Sequence, residues 1–236
     1  MFKYIKPYIE NMEKSPCERI IWDILPSIRK EFARSLIRNH NLNQKRVAEI
    51  LKLTPPAVSQ YLSNKRGGIE ITDNDILSEI DKSARIIFEN PSEKLNSETC
   101  RICNLLKSKE LASIDIKCCE SNEILCENVV WNILPVIRKE ISKILIENNG
   151  FTRKKVADTL GITEAAVSRY LSRKRGNIEI TDKNLLKEIQ KSTRRIIKGD
   201  DSTVIVEVCR ICTLLNSSKI IKDKYNPSLT RFPKNY

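Results

Sequence analysis

Cysteines are the side chains best placed to do chemistry in this sequence. There are eight, and six recur as a pattern: Cys17 with Cys100-Arg101-Ile102-Cys103, then Cys126 with Cys209-Arg210-Ile211-Cys212. Thiolates at Cys-x-x-Cys spacing converge on one soft metal ion. Each set of three, completed by an open or foreign ligand, is a candidate for an iron–sulfur cluster or for zinc. The same spacing permits a reversible disulfide switch, and a buried thiol also serves as a small apolar side chain. Cys118-Cys119 would raise the six to two four-cysteine sites, but adjacent side chains seldom serve two separate sites without strain. Acid–base and nucleophilic catalysis have little to work with. There is one histidine, His40, and there is neither a glycine-rich phosphate loop nor a serine in a nucleophile turn, so no enzymatic activity is expected.

The second chemical signal is polar and cationic, and it depends on the elements that carry it. From Thr152 to Gly176 the apolar residues Val156, Ala157 and Leu160 share one face of a short helix, and Val167, Tyr170 and Leu171 share one face of another. Ala157 is small where two helices cross, Gly161 is suited to a left-handed helix end, and Thr163 can cap the second helix. The pattern is a helix-turn-helix. Its second helix turns Glu164, Ala165, Ser168, Arg169 and Ser172 outward, and Arg173, Lys174 and Arg175 follow at once. Small and polar side chains on such a face approach base edges, and cations beyond it meet phosphates. Glu164, Ser168, Arg169 and Ser172 are therefore the candidate base readers, and Arg153, Lys154, Arg173, Lys174 and Arg175 the candidate phosphate contacts.

The run Thr-x-x-x-Val-Ala-x-x-Leu-Gly-Ile-Thr-x-Ala-Ala-Val-Ser-x-Tyr-Leu resembles the Cro/C1-type helix-turn-helix of repressors. The wider frame of Cys126-Glu127, Trp131, Leu134-Pro135, Ile137-Arg138 and Lys174-Arg175-Gly176 is similar to archaeal predicted transcriptional regulators of that class. Some of those carry a thiamine-phosphate synthase-type domain, which has no counterpart here. The resemblance implies lambda-repressor-like domains that read double-stranded DNA.

The frame occurs twice. Residues 17–88 align without a gap on 126–197 at an offset of 109, with 39 identities in 72 positions, and the same offset relates the two Cys-x-x-Cys pairs. The expected organisation is all-α: a lead-in over residues 1–16, one helix-turn-helix domain over 17–109, a connector over 110–125, a second domain over 126–220 and a basic tail over 221–236. The first copy departs from the pattern. Lys52 stands where the second has Gly161, and Pro55-Pro56 opens the recognition helix, with Pro56 expected to push Pro55 out of the α region. Its candidate base readers are Ser59, Gln60, Ser63 and Asn64, and its candidate phosphate contacts Gln44, Lys45, Lys65 and Arg66. A single chain with two readers can act as a pseudo-dimer.

Composition agrees with a polyanionic partner. Lys and Arg number 42 against 30 Asp and Glu, a formal charge of +12 with pI near 9.3. No stretch approaches the length of a spanning helix and residues 1–7 lack a signal-peptide core, so a cytoplasmic protein without a membrane partner is expected. A non-catalytic helical adaptor or an RNA-binding protein is the competing class. Trp22, Leu25, Ile28, Phe32 and Leu36 are expected to line a core stripe, His40 to face solvent from a turn, Thr72 or Asp73 (Thr181 or Asp182) to cap the next helix, and 89–98 to be a polar break before a short helix through Cys103 and Leu106.

Overall fold

The computed structural model describes residues 15–110 and 129–217, and all regular structure among them is helical. Cys126, Cys118, Cys119, nearly all of the lead-in, nearly all of the connector and the basic tail lie outside the described residues. In chain order the elements are α1 (Pro16–Arg19), a π-helical turn (Ile20–Ile24), α2 (Leu25–His40), α3 (Gln44–Ile50), α4 (Pro55–Leu62), α5 (Asn74–Glu89) and α6 (Pro91–Glu110). A second π-helical turn (Val129–Ile133) then leads into α7 (Leu134–Glu147), α8 (Arg153–Leu160), α9 (Glu164–Leu171), α10 (Lys183–Lys198) and α11 (Asp201–Ser217). The chain divides into two compact units, which hold the described residues of Glu18–Ile114 and of Asp115–Phe232.

Each unit is built around one amphipathic helix on which the others pack. Helix α2 packs against α3, α4, α5 and α6, with Ile28, Phe32 and Leu36 fully buried; α7 packs against α8, α9, α10 and α11, with Ile137, Ile141 and Leu145 in the same role. Trp22 does not join that core: it is 43% exposed. The reason is local. Pro26 lacks an N–H and its ring would strike the carbonyl four residues back, that of Trp22. The chain widens there into a π turn, in which the Leu25 N–H donates to the Ile20 carbonyl, and the added residue changes which side chains face inward.

Helix ends explain the remaining boundaries. Asp73 and Asp182 cap α5 and α10, each carboxylate accepting two backbone N–H bonds, from Asp75 and Ile76 and from Asn184 and Leu185. The expected break over 89–98 shrinks to Asn90, because Pro91 takes the first position of a continuous α6, where its missing donor costs nothing. His40 is the last residue of α2 rather than a solvent-facing turn residue. It is half-buried and stacks on Phe88 of α5 at a centroid distance of 4.3 Å, while Asn41 takes the left-handed conformation that ends the helix.

The arginine within each Cys-x-x-Cys joins the last two helices of its unit. Arg101 donates to Glu79 at 2.5 Å, to Glu98 at 2.9 Å and to the Ser83 hydroxyl at 2.6 Å. Arg210 does the same to Glu188 at 2.7 Å, to Glu207 at 2.9 Å and to the Ser192 hydroxyl. Bonds from Lys191 and Arg210 hold the Glu188 carboxyl at about 2, and bonds from Lys82 and Arg101 lower that of Glu79. No helix among the described residues is long and apolar enough to cross a membrane.

Candidate nucleic-acid interface

In the second unit, α8 and α9 are joined by the three residues Gly161, Ile162 and Thr163. Gly161 ends α8 with φ of 60°, and the Thr163 hydroxyl accepts from the Ala166 N–H at 3.2 Å to cap α9. Thr152 caps α8 in the same way through the Lys155 N–H at 3.2 Å. With Val167 and Tyr170 buried, α9 exposes Glu164 and Arg169, leaves Ser168 half-buried, and is followed by an exposed Ser172. The Ser172 hydroxyl donates back to the Arg169 carbonyl at 3.3 Å. Arg153 and Lys154 are exposed at the start of α8.

Beyond α9 the backbone folds back on itself. Arg173 is left-handed with φ of 57°, and the Arg175 N–H donates to the Arg169 carbonyl at 3.2 Å. Arg173 and Lys174 are exposed and Arg175 is half-buried. The Arg173–Glu179 ion pair, at 3.4 Å between exposed groups, holds Arg173 only weakly. Two contacts that no local window of the sequence signals anchor this loop to α7. Lys139, only 2% exposed, donates to the Ile178 carbonyl at 2.6 Å. Gly176, at φ of 65°, lies against Pro135, where a Cβ would stand 2.6 Å from the Pro135 carbonyl oxygen.

The first unit repeats this geometry. Lys52 takes the left-handed position with φ of 52°, at a cost of about 1–2 kcal/mol for a residue with a Cβ. Helix α4 begins at Pro55 itself, which corrects the expectation that Pro56 would force Pro55 out of the helix. Both prolines lie in the first turn, where the missing donors are ones a helix leaves unbonded, and Thr54 caps the Ala57 N–H at 3.3 Å. Asn64 is left-handed with φ of 58°, and the Lys65 and Arg66 N–H groups donate to the Gln60 carbonyl at 2.9 and 3.2 Å. Lys30, 4% exposed, donates to the Gly67 carbonyl at 2.7 Å, and Gly67 lies against Pro26 as Gly176 does against Pro135.

Of the candidate readers here, Ser59, Ser63 and Asn64 are exposed and Gln60 is half-buried, and the Asn64 amide oxygen accepts from Arg34 at 2.8 Å. Gln44, Lys45 and Lys65 are exposed, and Arg66 is half-buried. In both units, then, a capped helix with two buried apolar anchors presents a polar face, and a left-handed turn sets Lys and Arg just beyond it.

Comparison with protein-family models, with curated proteins and with solved structures finds no match to the chain.

The cysteines are arranged differently from the polar faces. Cys17, Cys103 and Cys212 are buried, Cys100 and Cys209 are half-buried, and all five are thiols rather than disulfides. Among the described residues no group of three or more His, Cys, Asp or Glu is set to hold a metal ion; Cys126 is outside them.

Proposed function

We propose that this chain is a non-catalytic, sequence-specific DNA-binding transcriptional regulator, with two tandem lambda-repressor-like domains of the Cro/C1 helix-turn-helix type. The observation that carries the reading is the recurrence of one arrangement at an offset of 109 residues. Thr54 and Thr163 cap short helices, Val58 with Tyr61 and Val167 with Tyr170 anchor them, and the exposed faces end in Lys65-Arg66 and Arg173-Lys174-Arg175. Ionised side chains beyond a polar helix face are suited to phosphates, while Arg169 can bond a guanine in bidentate fashion, Glu164 can accept from a cytosine amine, and Gln60 suits adenine. Since the two faces differ, one chain reads an asymmetric site in double-stranded DNA as a pseudo-dimer.

Selection of bound duplexes from a random pool tests this directly. An asymmetric two-part site is expected, with binding that weakens steeply with salt, by about 0.9 in log K per unit of log salt for each phosphate contact. Equal affinity for all duplexes, or a preference for single-stranded RNA, would favour the adaptor or RNA-binding class instead.

A further inference from the structure

The two units differ in charge on the exposed faces of α5 and α10. Helix α10 carries Lys183, Lys187, Lys191, Arg194, Arg195 and Lys198, and all six are exposed. At about 100° per residue they fall within an arc of about 120° that contains no acidic residue. The opposite side of the helix, with Leu185, Ile189, Ser192, Thr193 and Ile196, is buried in its own unit. The same arc of α5 in the first unit holds Lys82 and Arg85 against Asp75 and Glu89, and there Arg85 pairs with Glu89 at 3.2 Å. Six cations therefore share an arc that holds no acidic residue, where the equivalent arc of the other copy is neutral.

Helix stability does not account for this ridge. Arg195 and Lys198 lie in the last turn, where cations complement the helix dipole, but Lys183 is the first residue of α10, at the positive end, and repels it. Neighbouring anions neutralise only part of the charge. Lys191 pairs with Glu188 at 2.8 Å and Arg195 with Glu207 at 3.3 Å, whereas Lys183, Lys187, Arg194 and Lys198 form no ion pair with any described residue.

We infer that the exposed face of α10 is a second nucleic-acid surface of the second unit, one that grips the phosphate backbone of duplex DNA without reading its sequence. Charge complementarity selects a polyanion, and Lys183, Lys187 and Lys191 succeed one another about 6 Å apart along the helix axis, a linear array matched to a linear phosphate lattice. A membrane surface fits poorly, because a basic amphipathic helix binds lipid through its apolar face and that of α10 is already buried. The inference rests on the duplex-binding reading, and three full-length proteins separate the two: wild type, Arg169→Ala, and the quadruple variant Lys183→Gln, Lys187→Gln, Arg194→Gln and Lys198→Gln. Glutamine keeps helix propensity at exposed sites, which circular dichroism checks. Lys82→Gln with Arg85→Gln controls for loss of charge elsewhere.

Duplex affinity is measured from 50 to 200 mM salt, on the selected site and on a scrambled duplex. The quadruple variant should keep its site preference but lose affinity for both duplexes. With about 0.9 of slope per phosphate, four contacts make wild-type affinity fall roughly 100-fold further than the variant's over that range. A quadruple variant with the wild-type slope, or one no weaker than the Lys82/Arg85 control, overturns the inference while leaving the base-reading proposal intact if Arg169→Ala still lowers site preference. Wild-type binding without site preference, insensitive to Arg169→Ala but lost in the quadruple variant, leaves the inference standing and removes the base-reading proposal. No duplex binding by wild type ends both.

Discussion

Gly176 and Pro135 meet so closely that a single added carbon on Gly176 would stand 2.6 Å from the Pro135 carbonyl oxygen. This contact sets the chain beyond α9 against the start of α7, together with the Lys139 bond to Ile178. Gly176→Ala should therefore destabilise the protein by more than the left-handed penalty of about 1–2 kcal/mol alone. Gly161→Ala is the control, since its φ of 60° is similar but nothing lies within 4 Å of the added carbon. Thermal unfolding of both variants checks this, and equal losses would show that the Pro135 contact does not constrain the loop.

Lys52 offers the converse substitution. It sits in the conformation that Gly161 takes in the other unit, so Lys52→Gly should stabilise the first unit by about 1 kcal/mol through removal of that strain. Denaturant unfolding measures it; an unchanged midpoint would show that the gain in unfolded-chain entropy matches the strain, and a lower one that it outweighs it.

Under the proposed function, the unlike faces of α4 and α9 predict unequal losses. Arg169→Ala should cost about 1–3 kcal/mol at one half of the selected site and relax specificity there, while Gln60→Ala should act at the other half and by less. Competition binding against single-base variants of the site resolves the two. Effects of both substitutions on the same base pairs would place the two readers on one half-site.

Acid should act through Glu188. Lys191 and Arg210 hold its carboxyl at about 2, below the 4.5 of an unperturbed glutamate, so between those values the unfolded chain binds more protons than the folded one. Its contribution is complete above about 4.5 and is lost as pH falls through about 2. Glu188→Gln should lower stability near neutrality, and the gap to wild type should close as pH approaches 2. Unfolding midpoints from pH 2 to 6 provide the check, and a constant gap would assign the loss to packing.

Periodicity and cap chemistry carry most of the helical pattern, because they act within a few residues. Thr163, Gly161 and the burial of Val167 and Tyr170 are legible from the residues alone. Asp73 and Asp182 are recognisable as cap candidates, although the choice over Thr72 and Thr181 needed geometry. What escaped depends on distant partners. The seat of Gly67 and Gly176, the lysine bonds across 37 and 39 residues, and the Arg101 and Arg210 networks join segments that no local window compares. Trp22 and His40 depart from the sequence pattern for opposite reasons: a π turn alters the register around the first, and Phe88 stacks the second against α5. A usable signal existed in the pairwise match of the copies, where Lys30 and Lys139, Glu79 and Glu188, and Arg101 and Arg210 all coincide.

Buried Lys30 and Lys139 also give the loops beyond α4 and α9 a built-in chemical clock. An amine acylates only when it is deprotonated and in contact with reagent, and these two are almost wholly shielded while surface lysines such as Lys154 and Lys174 stay open. Labelling at Lys30 and Lys139 thus proceeds no faster than each loop lifts from its helix, so the delay of these two residues behind the others, followed by peptide mass, reads how often each loop lets go of its support.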